Sequence, residues 1–67
     1  MQAQSAIREW AKSNGLKLGW LAEQIPVTKT SLSRWLNEDR VPTAMARERM
    51  ADVTGIDLVR DEKSWVE

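Results

Sequence analysis

The stretch Val27–Asn37, VTKTSLSRWLN, constrains the fold most, because helical steps of about 100° per residue divide it into two unlike arcs. Leu32, Trp35 and Leu36 fall on one arc, and Thr30, Ser33, Arg34 and Asn37 on the other. The apolar arc has to be covered, so this helix needs neighbours. Thr28 can cap its N-terminus by accepting from a first-turn amide, and Val27 before it suits a hydrophobic staple. The outward arc carries short hydroxyls, one amide and one guanidinium. A helix built only for solubility would more often carry Glu and Lys there.

The rest of the chain supplies the cover. Ala3, Ala6, Ile7, Trp10 and Ala11 recur at helical spacing, and Asn14-Gly15 provides a turn or C-cap beyond them. Leu18, Leu21, Ala22 and Ile25 repeat the pattern at i, i+3, i+4 and i+7, predicting a second helix over about 17–24, where small Ala22 allows a close helix crossing. Trp20 lies opposite that stripe; it can rest on a polyanion backbone, fill a contact between copies or fold over helix one. Ile25-Pro26-Val27 breaks the second helix, since proline lacks the amide and restricts its predecessor. Pro42 and Thr43 announce a fourth helix with threonine as its cap. Ala46, Met50 and Val53 share one of its sides, and Gly55 stops it with Ile56 available to pack back. Arg47, Glu48 and Arg49 read as a solvated face, as do Arg8 and Lys12 on helix one, although that pair could reach a phosphate. Met45 and Met50 could form a partner surface, with core filling the commoner use. Residues 57–67 read as a short C-terminal tail, yet Leu58, Val59, Trp65 and Val66 make it more apolar than a free tail needs.

Sixty-seven residues make one domain, near the size at which a single core just suffices. The absence of cysteine and histidine excludes disulfides, thiolate or imidazole zinc sites, thiol nucleophiles and His-based triads. Only Asp, Glu, Lys and Ser remain for catalysis, in no clustered constellation, so neither an enzyme nor a cofactor is expected. The opening residues carry charge by position nine and no long apolar run, and no stretch approaches membrane-spanning length. A cytoplasmic protein without membrane partners is expected. The net charge of zero argues against holding a polyanion by bulk electrostatics alone. The distribution is uneven: residues 1–49 hold eight Lys or Arg against five Asp or Glu, a balance of +3, and residues 50–67 hold two against five, a balance of −3. The acidic end should then face away from phosphate.

Two short helices separated by a brief break, the second with a polar outer arc, are the pattern of a helix-turn-helix. LGWLAEQIPVTKTSLSRWLN, residues 18–37, resembles that of the Cro and cI type phage repressors, with Ala22 at the close-crossing position, Val27 after the turn, Leu32 on the inner face and Asn37 at the end. The surrounding REWAKSNGLKLGWLAEQ and SLSRWLNEDRVPTAMARERMADVTG extend the resemblance to small Cro-like proteins of prophages, including the YdaS group described as antitoxins. The resemblance implies an all-α, lambda-repressor-like domain of four to five short helices. Two positions depart from the pattern. Pro26 stands where glycine is usual, and proline cannot take the positive φ glycine supplies there, so the turn must follow a different path. Leu18 stands where a phosphate-binding glutamine is common, with Lys17 beside it as a substitute. Glu38 and Asp39 would repel phosphate, which puts the loop after the third helix at the rim, with Arg40 still able to reach a backbone.

The expected function is sequence-specific binding of double-stranded DNA by a phage or prophage repressor that acts by operator occupancy through helix 28–37. Arg34 is the first choice for base reading, since its fork can engage guanine bidentately for about 1–3 kcal/mol of discrimination; a phosphate contact or a surface salt bridge is its competing role. Thr30, Ser33 and Asn37 share the outward arc. Thr28 and Lys29, at the helix N-terminus, suit phosphate better than bases, with capping the plainer role for Thr28. Lys17 is a phosphate candidate, or an ordinary solvated lysine. Trp35, flanked by Leu32 and Leu36, is expected in the core. One small neutral domain makes few contacts, so two copies are expected on a palindrome with half-sites about 34 Å apart, meeting through Trp20 or the tail with Trp65. The alternative is an antitoxin or interaction module that binds a partner protein, such as a toxin, through the acidic, Trp-containing tail.

Overall fold

A computed structural model of the chain describes residues 2–37 and 40–66, and the described residues form four α-helices followed by two 3-10 helices. The helices are α1 (Gln2–Ser13), α2 (Leu18–Gln24), α3 (Lys29–Leu36) and α4 (Ala44–Thr54), and the 3-10 segments are η1 (Asp57–Arg60) and η2 (Glu62–Trp65). No strand occurs among the described residues, so the fold is all-α. No helix among them is long and apolar enough to cross a membrane.

Local chemistry fixes the helix ends. Alanines and unbranched polar residues favour α1, and it closes in a Schellman arrangement: Gly15 takes φ +64°, the Leu16 amide donates to Ala11 O at 2.9 Å and the Gly15 amide to Lys12 O at 3.2 Å. The Thr28 Oγ1 accepts from the Ser31 amide at 3.1 Å to start α3, and the Thr43 Oγ1 accepts from the Ala46 amide at 3.2 Å to start α4. Gly55, at φ +75°, ends α4. Residues 25–28 separate α2 from α3. There the Ile25–Pro26 peptide is cis and the Val27 amide donates to Ala22 O at 2.8 Å.

The core draws on every element: Ile7 from α1, Leu21 from α2, Leu32 from α3, Met50 from α4, Val59 from η1 and Trp65 from η2 are each at most 2% exposed. Helix α1 lies against α3 and both 3-10 segments, α2 packs on α3, and α4 packs on η1. Trp35, half-buried, packs against this core, as do Val27, Val53 and Ile56.

Residues 57–66 are not a tail. Val59 and Trp65 are buried, and the Trp65 indole Nε1 donates to Val59 O at 2.9 Å, which satisfies its polar edge inside the core. Buried Gln4 on α1 donates through Nε2 to Trp65 O at 3.2 Å, while its Oε1 has no hydrogen-bond partner among the described residues. Trp65 therefore offers no surface to a second copy or a toxin. Leu58 and Val66 stay partly exposed; Glu67 lies outside the described residues.

The expected solvated face on α4 is exposed at Glu48 and Arg49 and half-buried at Arg47, and it also carries contacts that hold the fold. Arg47 donates to Pro42 O at 2.8 Å and Arg60 O at 3.3 Å, and Arg49 donates to Gln24 O at 3.0 Å, joining α4 to the end of α2. Glu48 pairs with Arg60, which also reaches Asp57 at 3.4 Å and Asp52 at 3.6 Å. The hydrogen bond from Glu48 is the largest cause raising the Arg60 pKa above its ordinary value, with all three carboxylates adding attraction. The guanidinium collects these carboxylates because its fork has donors enough for several. Met50 fills the core, and Met45 is 82% exposed.

Candidate nucleic-acid interface

Covering one side of α3 with α1 and α2 turns its other side outward. Leu32 and Leu36 are buried, whereas Thr30, Arg34 and Asn37 are exposed and Ser33 is half-buried. Thr28 and Lys29 are exposed at the helix start. Thr28 is engaged as the cap, and its hydroxyl donates to Ser31 Oγ at 3.0 Å. Thr30 and Arg34, one turn apart, form the accessible centre of this face.

Asn37 and Ser33 are tied into a short chain of hydrogen bonds. Arg8 Nη2 on α1 donates to Asn37 Oδ1 at 2.8 Å and to Leu36 O at 3.3 Å, and Asn37 Nδ2 donates to Ser33 Oγ at 3.2 Å. Arg8 thus satisfies a carbonyl that the last turn of a helix leaves free. Arg8 is exposed, as anticipated for a solvated face, and it also fastens α1 to the end of α3. The Asn37 carbonyl oxygen and one amide hydrogen are committed to this chain, which leaves Asn37 less free for a base edge than Arg34.

Lys17 precedes α2 in an extended conformation and is exposed. It joins Arg8, Lys12 and Lys29 around a groove of about 440 Å³ floored by Ala11, Leu16 and Leu18. The i, i+4 spacing of Arg8 and Lys12 hinted at one shared side, but which other cations stand beside that pair depends on how α1 meets α2 and α3. Arg40 is exposed, and the anticipated rim position of Glu38 and Asp39 lies outside the described residues.

Trp20 folds over helix one. Its ring lies 6.3 Å from that of Trp10 at an interplanar angle of 33°, within the range of favourable aromatic pairs, and Trp20 remains 40% exposed. Among the described residues no group of three or more Asp or Glu is placed to hold a metal ion. No protein-family model, curated protein or solved structure matches the chain.

Proposed function

We propose that the chain is a sequence-specific binder of double-stranded DNA, with a lambda-repressor-like helix-turn-helix formed by α2, residues 25–28 and α3. The supporting observation is the exposed pair Thr30 and Arg34 on a capped helix whose opposite side is buried by Leu32 and Leu36. Such a face is narrow enough to approach a major groove, and its side chains suit base edges and phosphates. In this reading Arg34 reads a guanine, Thr30 and Ser33 contact neighbouring bases or thymine methyls, and Lys17, Thr28 and Lys29 meet the backbone.

The molecule measures 27 × 21 × 19 Å, shorter in every direction than the roughly 34 Å between half-sites one helical turn apart. One copy then covers one half-site, and an operator of this kind needs two. With Trp65 buried, Trp20 is the aromatic left to contribute to a contact between copies. The protein then acts as a phage or prophage repressor in the cytoplasm, by occupancy and without a cofactor. The antitoxin reading keeps the charges of residues 57–66, Leu58 and Val66 as its surface, without the buried tryptophan.

Selection of bound duplexes from a random pool tests the proposal. Recovery of a palindromic consensus is expected, with the preference lost in Arg34→Ala. Recovery of no consensus at low salt would count against it.

A further inference from the structure

The groove between α1, the α1–α2 connection and the start of α3 concentrates positive charge among its lining residues. Four cations line it: Arg8 and Lys12 from α1, Lys17 from the connection and Lys29 from α3. No carboxylate occurs among its described lining residues, and none of the three lysines forms an ion pair among the described residues, where the ion pairs all converge on Arg60. In a chain of zero net charge this is a local excess rather than a general one. Like charges gathered at a low-dielectric floor repel one another and focus potential outward, and a bound anion relieves both.

The groove also has a definite position relative to α3. It is lined by the first residue of that helix, Lys29, and by the arginine that holds its last turn, Arg8. It therefore flanks the face carrying Thr30 and Arg34 instead of standing apart from it. The Lys29 stem passes over Gly19, with its Cδ 4.0 Å from where a Cβ would stand, so α2 gives that stem room. Lysine ammoniums are compact, rotatable point charges, suited to phosphate oxygens without demanding one geometry. Three of them beside one guanidinium fit a run of phosphates better than a single small ion.

We propose that this groove holds one phosphodiester strand of the duplex whose bases α3 reads, with Arg8 and Lys12 of α1 as phosphate ligands alongside Lys17 and Lys29. The inference rests on the DNA-binding reading and extends it: the sequence-independent part of the affinity comes largely from α1 and the loop after it, and the base-reading part from α3. The two parts should separate experimentally. Each phosphate neutralised on duplex DNA contributes about 0.9 to the slope of log K against log salt concentration.

Fluorescence anisotropy of a labelled duplex titrated with the full chain over a range of salt concentrations, on the preferred sequence and on a scrambled one, provides the test. Lys12→Gln should shrink the slope by about 0.9 and Lys12→Gln/Lys17→Gln by about 1.8, weakening both duplexes alike so that their ratio is kept. Lys63→Gln on η2 removes the same charge away from the groove and should leave the slope as it is. Circular dichroism checks that each variant is folded, which the exposure of all three lysines favours. If the wild type binds duplex and the Lys12 and Lys17 variants match it, the groove assignment is wrong while the DNA reading stands. If the wild type binds no duplex at any salt concentration, the DNA reading fails and this inference with it. A competition arm uses inorganic tripolyphosphate: release of the duplex should need concentrations that act through ionic strength. Displacement from the wild type at far lower concentration, with duplex and tripolyphosphate affinities insensitive to each other in Lys12→Gln, would assign the groove to a free polyphosphate instead.

Discussion

Arg8 Nη2 and Asn37 Oδ1 meet at 2.8 Å across 29 positions of sequence, so the end of α3 is set by a residue on α1. Position and orientation of the outward face thus depend on a helix that contributes none of its side chains. Arg8→Ala should lower stability by about 0.5–1.5 kcal/mol, the net worth of an ordinary hydrogen bond, and should weaken duplex preference as well as overall affinity. Arg8→Lys keeps the charge and should recover affinity for scrambled duplex but not the preference. Urea unfolding followed by circular dichroism, with binding to both duplexes, separates these effects; an unchanged unfolding midpoint in Arg8→Ala would show that the contact holds nothing.

Arg34 is exposed and makes no side-chain hydrogen bond among the described residues, so Arg34→Ala should change stability by less than about 0.5 kcal/mol. Discrimination between the preferred site and one altered at the contacted base should fall by about 1–3 kcal/mol. Competition binding with single-base substitutions measures this directly, and a uniform loss across all sites would reassign Arg34 to phosphate.

Thr28 and Thr43 perform the same service for different helices. Thr28→Ala and Thr43→Ala should each cost about 1 kcal/mol, readable as a lowered melting temperature. Only Thr28→Ala should also slow amide-exchange protection in α3 from being regained after dilution of denaturant. Equal behaviour of the two variants in α3 would mean that the cap acts on the whole domain.

Trp65→Ala should cost about 3–5 kcal/mol, as for other large core truncations. A chain of this length has a total stability of roughly 3–10 kcal/mol, so the variant should be largely unfolded at ambient temperature. Trp65→Phe keeps most of the buried area, leaves Val59 O unpaired, and should lose about 1–3 kcal/mol. Near-wild-type thermal unfolding of Trp65→Ala would return residues 57–66 to the status of a tail.

Gly55→Ala should cost about 1–2 kcal/mol, the strain of placing a side chain in the left-handed region. No atom stands within 4 Å of the added Cβ, so crowding adds nothing. A chemical denaturation curve shifted in midpoint but not in slope is the expected signature.

The four helices were legible because their signals are local. Thr28, Thr43 and Gly55 act on amides and carbonyls within a few residues, and Leu32 with Leu36 or Ala46 with Met50 declare a face by spacing alone. The last ten residues were not legible, because Val59 and Trp65 share no helical period and find their partners across the molecule on α1 and α4. Trp20 could not be assigned from its own helix, since its neighbour Trp10 belongs to another. Arg8, Arg47 and Arg49 donate to backbone carbonyls of distant residues, and nothing in a sequence marks which carbonyl will be free to receive them. The outward arc of α3 was readable from one helix; the grouping of Lys12 with Lys17 and Lys29 needed three elements in place.

The hydrogen bond from Gln4 to the carbonyl of Trp65 joins residues 61 apart. A growing chain emerging from a ribosome has made α1 long before the segment that closes over it, and the buried face of α1 waits exposed until η2 arrives. Productive folding should therefore wait until η2 has been made, and pausing just before Trp65 should leave a species that proteases recognise.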